Sequence, residues 1–415
     1  MDINVLKSLL VRNTTKIVYL IMDGLGGLPD KETGLTELET ANTPNLDSLA
    51  EMSICGMMDP IAPGITPGSG PAHLSLFGYD PLEFAIGRGI LSALGIDFPI
   101  KKGDVAARIN FATIDKEGKI IDRRAGRIST ETNRRLCEKL RKNVKLNENV
   151  KWFIETVSEH RAVLVFRGQN LSGKIEDTDP QVVGKKPLKA IPLEKEAEYT
   201  ANIINDFISK AKAVLKDEDK ANMILVRGFA TFEKIESMKE RYGLNCLAIA
   251  EYPMYRGLAR LVGMDILKIP GSFEELLQIF SEHYNEYDFF FLHVKKTDSY
   301  GEDGNFKAKV EVIEKVDKVI VPEIMKKSPD VFVVTGDHST PYLLKSHSWH
   351  PVPLILYSKV CRKDSVKKFG ESECTKGGLG RMLLKDFMPV VLANALRIQT
   401  VSYTHLRAHE TSLHL

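Results

Sequence analysis

Four unbroken apolar runs stand out along the chain: Ile17 to Met22 (IVYLIM), Asp288 to Val294 (DFFFLHV), Val331 to Val334 (VFVV) and Leu354 to Tyr357 (LILY). Runs without polar alternation fit strands covered on both faces. Between them the period changes to that of amphipathic helices. Thr43-Pro44 reads as an N-cap with proline in the first helical position, followed by Leu46, Leu49 and Ala50. Phe273 to Tyr287 carries Leu276, Leu277 and Phe280 on one side, and Phe306 to Met325 carries Val310, Ile313, Val316, Val319 and Ile320. Strands alternating with helices predict an α/β layer fold with a mainly parallel sheet. No internal repeat is visible, which excludes solenoids and propellers.

The middle of the chain is patterned differently. Arg108 to Ile121 reads as two short strands turning at Lys116-Glu117-Gly118, Arg161 to Arg167 alternates, and Leu193 to Leu215 is a charge-rich amphipathic helix. These features predict an inserted α+β domain at 111–221, interrupting a core domain of 1–110 and 222–400. The last segment, Val401 to Leu415 (VSYTHLRAHETSLHL), has neither period and resembles a translated sequencing-adaptor peptide. We set it aside as a non-native, disordered tail.

Composition narrows the classes. The chain has 415 residues, 57 Lys plus Arg against 55 Asp plus Glu, and a net charge of +2. That balance gives no broad basic field, which argues against a nucleic-acid partner or a polybasic membrane binder. No apolar run approaches the ~20 residues needed to span a bilayer. The N-terminus lacks the apolar stretch and cleavage site of a secretory signal. Five widely spaced cysteines, with no C-x-x-C pair, read as reduced thiols of a cytoplasmic protein.

The chemistry gathers at strand ends. Ile17–Met22 runs into Asp23-Gly24, the DFFFLHV run leads to Asp298 with Glu302 four residues on, and VFVV ends in Thr335-Gly336-Asp337-His338. In open α/β sheets the carboxyl ends of parallel strands form the ligand crevice. One Asp there reads equally well as a helix cap. Several acids on one rim repel each other and imply bound cations. In Gly64 to Gly78, Ser69 lies between Gly68 and Gly70 at the start of helix-forming sequence. It reads either as an N-cap or as a hydroxyl at an anion-binding helix N-terminus, and the flanking glycines favour the second. No G-x-S-x-G elbow is present, so activation would come from a metal and not from a histidine base. His347 and His350 precede the LILY strand and offer further ligands.

Recognition of phosphate or carboxylate calls for arginine, which binds both in bidentate fashion. Asp122-Arg123-Arg124-Ala125-Gly126-Arg127, His160-Arg161 and Arg167 supply guanidiniums in the insert, and Arg256 and Arg260 share one side of a helix. Each alone reads equally as a solvated salt-bridge partner.

Taken together, MDG at Met22 to Gly24, ANTPNLDSLA at Ala41 to Ala50, PGSGPAHLSLFGYDP at Pro67 to Pro81, Thr297-Asp298, TGDHSTP at Thr335 to Pro341 and HSWHPVP at His347 to Pro353 resemble the archaeal type of 2,3-bisphosphoglycerate-independent phosphoglycerate mutase, in the alkaline phosphatase superfamily. The resemblance implies an alkaline-phosphatase-like three-layer core with a mainly parallel sheet, and an inserted α+β domain acting as substrate-binding lid. It implies Ser69 as the nucleophile that becomes phosphoserine. One metal site would take Asp23, Ser69, Asp337 and His338; the other would take Asp298, Glu302 and His347. The chain departs from the commoner pattern here, with Glu302 in Gly301-Glu302-Asp303-Gly304 where a histidine is usual, which shifts preference toward harder ions. Asp122, Arg123, Arg161, Arg167, Arg256 and Arg260 are carried over as substrate-binding residues. Lys295 and Lys296 are candidates for proton transfer or charge stabilisation at the leaving oxygen, and strand alternation does not decide between them.

The function so implied is interconversion of 3-phosphoglycerate and 2-phosphoglycerate, in glycolysis and gluconeogenesis, with two divalent ions and no bisphosphoglycerate. Mn²⁺ is the first choice, with Mg²⁺, Co²⁺ or Zn²⁺ as alternatives. The expected partner is a small-molecule phosphoglycerate, with no nucleic acid and no membrane; a homo-oligomer is left open. The rival readings are a metal-dependent phosphohydrolase or other phosphomutase, and a non-catalytic metal- and phosphate-binding protein.

Overall fold

The computed structural model describes residues 2–84, 86–146 and 149–399. The Val401–Leu415 expectation lies outside them. Twelve strands occur among the described residues: β1 (Ile17–Met22), β2 (Ile54–Asp59), β3 (Val105–Ile114), β4 (Ile120–Asp122), β5 (Lys151–Ser158), β6 (Arg161–Arg167), β7 (Met223–Thr231), β8 (Cys246–Ile249), β9 (Phe289–Val294), β10 (Val331–Thr335), β11 (Val352–Ser358) and β12 (Gly380–Leu383). They divide between two compact units, one of Met1–Ala85 with Glu236–Leu415, the other of Ile86–Ile235.

The first unit holds a seven-stranded sheet in the order β12-β2-β11-β10-β1-β9-β8. β10, β1, β9 and β8 run parallel, while β11 is antiparallel to both β10 and β2. All six residues of β1 and of β9 are buried, as their unbroken apolar runs predict. One face, with Val18, Leu20, Phe290 and Leu292, packs on Leu46 and Leu49 of helix Pro44–Glu51, Leu276 and Ile279 of helix Phe273–Glu282, and Ile313 and Ile320 of helix Phe306–Lys326. On the other, Tyr19 meets Met388, and Phe291 meets His73 and Phe77 of helix Ser69–Leu76. Helices on both faces make three layers.

The predicted helix over Phe273 to Tyr287 stops at Glu282. Its last aromatic residues continue the apolar pattern without the helix, because Tyr284 stacks on Phe290 and Tyr287 reaches Asp265. The other predicted helix over Leu193 to Leu215 begins at Glu198. Leu193 instead donates its N–H to the Lys174 carbonyl, next to the bridge between Pro192 and Ile175.

In the second unit β3 is central, pairing antiparallel with β4, β6 and β7, and β5 continues the sheet beyond β6. Ala107, Ile109, Phe111, Ala162, Leu164 and Phe166 face helices Thr130–Asn143 and Glu198–Leu215, in a core with Leu136, Leu140, Ile204 and Phe207. The unit is wider than the 111–221 read from sequence. β3 begins at Val105, β7 runs on to Thr231, and helix Arg88–Gly95 lays Ile90 and Ala93 on Ala106, Val163 and Val165.

Among the described residues no helix is long and apolar enough to cross a membrane. Cys55, Cys137, Cys246 and Cys374 are buried free thiols and Cys361 is half-buried.

Candidate active site

β10, β1 and β9 are adjacent and parallel, with Ile21 opposite Thr335 and Met22 opposite Val294. Their carboxyl ends therefore leave the sheet side by side, and each delivers a polar group. Asp23 follows β1, Lys295 and Asp298 follow β9, and Asp337 and His338 follow β10. All four acid and imidazole groups are buried.

Two ligand sets result. One donor atom from each of Asp23, Asp337 and His338 lies within 4.8 Å of the others, and the same holds for Asp298, His338 and His347. His338 belongs to both: its Nε2 is 3.3 Å from Asp23 Oδ1 and 3.1 Å from Asp337 Oδ2, and its ring stacks on His347 at 3.7 Å. His347 Nδ1 bonds the Pro67 carbonyl at 2.9 Å, which leaves Nε2 facing Asp298 Oδ1 at 3.6 Å. Glu302 stands outside the compact set. Its Oε1 is 3.9 Å from His347 Nε2 and its side chain is half exposed.

Ser69 opens helix Ser69–Leu76, and the N-cap is Gly68, with φ −86° and ψ 152°. The cap alternative is thereby excluded, and the hydroxyl is left over for other work. Its Oγ lies 3.4 Å from His338 Nε2. One turn on, His73 Nδ1 sits 2.9 Å from the Ser69 carbonyl and 3.2 Å from Asp337 Oδ2.

The electrostatics are those of crowded acids. Burial, then the charge of Asp337, pushes the Asp23 carboxyl well above the usual range. Burial alone would do the same to Asp337, but His338 and His73 outweigh it and hold that carboxyl well below. Asp23 Oδ1 and Asp337 Oδ2 are buried without hydrogen bonds. Lys295 supplies the nearby positive charge: Nζ lies 2.9 Å from Asp23 Oδ2 and pairs with Asp298 Oδ2. Burial would lower the Lys295 pKa, yet Asp23 and Asp298 raise it above the lysine range. Lys296, by contrast, is exposed at the start of helix Lys296–Asp303.

Sequence reasoning missed four contributors, Tyr255, His293, Thr340 and Lys309. Tyr255, on helix Pro253–Leu261, hydrogen-bonds Asp23 Oδ2 and packs on His293. His293 itself approaches Asp23 Oδ2 at 3.7 Å. Thr340 Oγ1 donates to Asp298 Oδ1 at 2.7 Å and accepts from His338 Nδ1 at 3.0 Å, tying the two sets together. Gly24, at φ +62°, leaves room for that hydroxyl: a Cβ there would come within 2.5 Å of Thr340 Oγ1. Beneath, the fully buried Lys309 donates to the Gly26 and Thr340 carbonyls at 3.2 and 2.9 Å and pairs with Glu37 at 3.3 Å. Lys309 thus pins the loops after β1 and β10. Of these, Thr340 lay inside TGDHSTP and His293 inside the DFFFLHV run, while Tyr255 and Lys309 lay in no segment singled out for chemistry.

The arginine candidates fare unevenly. Arg256 is buried on helix Pro253–Leu261 and hydrogen-bonds the Glu251 carbonyl; Arg260 is half-buried on the same helix. In the second unit Asp122 is a turn former, its two oxygens accepting N–H from Arg124 at 2.7 Å and Gly126 at 2.6 Å. Arg123 forks onto Asp179 at 3.0 and 2.7 Å. Arg167 is likewise committed, bidentate to Asp104 at 2.8 and 2.6 Å with a further bond to the Pro99 carbonyl. It sits at the opposite end of β6 from Arg161, roughly 20 Å away at ~3.4 Å per residue. The structure does not bring these two together.

A family model described as 2,3-bisphosphoglycerate-independent phosphoglycerate mutase matches residues 50–220. A Thermus thermophilus protein named "Probable 2,3-bisphosphoglycerate-independent phosphoglycerate mutase" is 49% identical over 394 residues, covering 94% of this chain and 97% of that one. A protein of the same name from Aquifex aeolicus is 48% identical over 404 residues, 95% of this chain and 99% of its own. Among solved structures, a Pyrococcus horikoshii protein matches at TM-score 0.80 with 32% identity, over 94% of this chain and 100% of its own. The cofactor-independent phosphoglycerate mutase of Thermoplasma acidophilum matches at 0.71 with 31% identity, over 92% and 100%. On this identity and coverage, the chain belongs to the 2,3-bisphosphoglycerate-independent phosphoglycerate mutase family.

Proposed function

We propose that this chain interconverts 3-phosphoglycerate and 2-phosphoglycerate through a phosphorylated Ser69. The observation that carries the reading is the uncapped Ser69 hydroxyl at the helix N-terminus, 3.4 Å from His338 Nε2 and beside a buried pair of acids. Family membership supplies the substrate class.

The donor sets fit divalent cations. Buried carboxylate oxygens without hydrogen bonds, set among imidazoles, are the ligands such ions take. Asp23, Asp337, His338 and Ser69 would hold one ion, and Asp298, His347 and Glu302 the other. Bound there, such ions lower the pKa of a hydroxyl and offset charge on phosphoryl oxygens; Mn²⁺ is the ion we favour.

The remaining work falls to the chain. Ser69 Oγ forms the bond to phosphorus as the bond from phosphorus to the 3-oxygen breaks. The N–H groups at the start of helix Ser69–Leu76 favour the anionic phosphoryl group. Lys295, held cationic by Asp23 and Asp298, stabilises charge on the departing oxygen. The 2-hydroxyl of glycerate then takes the phosphoryl group back, which restores Ser69. Glycerate must stay bound while this happens.

The test is ³¹P NMR of 3-phosphoglycerate with the metal-loaded chain, without bisphosphoglycerate. The expected result is a 2-phosphoglycerate resonance that disappears for Ser69→Ala and for chelated enzyme, and returns with Mn²⁺. Full conversion by the Ala variant, or free phosphate as the main product, refutes the mutase reading.

A further inference from the structure

Tyr255 is a buried side chain at the rim to which the proposed chemistry gives no task. It lies on helix Pro253–Leu261, which packs against helix Ser69–Leu76. Its ring is fixed between two imidazoles, with centroids 4.5 Å from His73 and 4.0 Å from His293. A phenylalanine would fill the same space. Packing therefore does not account for the hydroxyl, and a dry site keeps a hydroxyl where partners satisfy it. Three partners do so here. The hydroxyl bonds Asp23 Oδ2, lies 3.4 Å from Lys295 Nζ and meets the Ser69 hydroxyl. It thus stands at the junction of an ion ligand, the charge-stabilising lysine and the nucleophile.

The direction of each bond follows from the donors available. Burial, then the charges of Asp23 and Asp337, pushes the Tyr255 phenol well above the tyrosine range, so it keeps its proton. As a carboxylate, Asp23 only accepts, and a lysine ammonium only donates. The single phenol proton therefore goes to Asp23, while the oxygen accepts from Lys295 and Ser69. Two constraints result. Asp23 Oδ2 carries Tyr255 and, at 2.9 Å, Lys295, whereas Oδ1 is buried without a hydrogen bond, 3.3 Å from His338 Nε2. One oxygen is tied back to the protein and the other is turned toward His338. Ser69 Oγ, which also lies 3.4 Å from His338 Nε2, is held toward the same point.

We propose that Tyr255 is a positioning residue: its hydroxyl makes Asp23 a one-oxygen ligand through Oδ1 and holds Ser69 Oγ beside the ion that Asp23 binds. The inference rests on the proposed function for the role of Ser69. A carboxylate whose rear oxygen is released turns or chelates with both oxygens, and a serine without its acceptor visits other rotamers. Both changes move the nucleophile and its ion out of alignment. The loss falls on the chemical step and not on substrate binding.

The experiment uses the full chain with Tyr255→Phe, which keeps the ring contacts and removes only the hydroxyl; the unfolding midpoint checks the fold. Stripped protein is titrated with Mn²⁺, and the free ion is read by electron paramagnetic resonance. One of the two binding steps is expected to weaken about tenfold or more, and the other to stay as in the wild type. At saturating Mn²⁺, kcat for 3-phosphoglycerate should fall about tenfold or more, with KM within about twofold. Tyr252→Phe, on the neighbouring ring at 5.6 Å, removes a hydroxyl that has no bond to Asp23 and is expected to change neither readout. Two wild-type Mn²⁺ steps in Tyr255→Phe overturn the proposal, as do equal losses in both steps or a kcat that returns in full at saturating Mn²⁺. The titration needs no turnover. One weakened step in a chain that fails the ³¹P test would sink the mutase reading and leave the placement of Asp23 standing.

Discussion

Thr340 is the smallest change with a calculable consequence. Its hydroxyl has one proton, and Asp298 Oδ1 at 2.7 Å is an acceptor only, so the proton goes there. The bond at 3.0 Å to His338 Nδ1 must then run from the imidazole N–H to Thr340 Oγ1. That assignment fixes the tautomer, leaving the His338 Nε2 lone pair toward Asp23, Asp337 and Ser69. Thr340→Val keeps the shape and removes both bonds. A bond to a charged group is worth about 1.5–3 kcal/mol and a neutral one about 1, so the stability loss should be roughly 2–4 kcal/mol. Lys295 still pairs with Asp298, which favours the lower half. For ions bound at these ligands, loss of such an orienting partner costs about 10–100-fold in affinity. Calorimetric titration of stripped enzyme with Mn²⁺ reads the second effect and denaturant unfolding the first. Thr340→Ser should recover most of both, because it restores donor and acceptor. A Val variant with wild-type Mn²⁺ affinity and unfolding midpoint would show that the hydroxyl orients nothing.

Other consequences follow from the same contacts. Lys309→Met leaves Glu37 buried without its cation, so the unit should lose about 3–5 kcal/mol in urea unfolding; adding Glu37→Gln should return part of it, and a Met variant as stable as wild type counts against the clamp. Glu302→His exchanges a half-exposed carboxylate for an imidazole near His347 Nε2, and should move ion preference toward Co²⁺ and Zn²⁺ in competition titrations; an unaltered order of ions would remove Glu302 from the site. In the second unit Arg135 and Lys139 hold the Glu218 carboxyl down to about 2 from an ordinary 4.5. A folded pKa below the unfolded one gives stability that is present above pH 4.5 and is lost as pH falls toward 2. Glu218→Gln should therefore destabilise at pH 7 and flatten the acid limb of the pH–stability curve, whereas parallel curves for the two proteins would contradict the pairing.

The contrast between Lys295 and Arg167 shows what a single sequence carries and what it withholds. Buried parallel strands announce themselves, because cover on both faces leaves no room for polar positions; β1, β9 and β10 are therefore readable, and so is the rim at which they end. Asp23, Asp298, Asp337 and His338 follow from that local rule. Whether a charged side chain is available for chemistry is a different question, since it depends on whether the fold supplies an internal partner. Arg167 meets Asp104 across a separation of 63 residues, and Asp122 spends both oxygens on its own turn. Lys295 is drawn to Asp23, far along the chain, while Lys296 faces solvent. Tyr255, His293 and Lys309 reach the rim from helices and strands whose patterns report only that they are amphipathic or buried. Pairing across long stretches of chain, not composition, is what makes Arg167 a structural arginine and sets Lys295 at the rim.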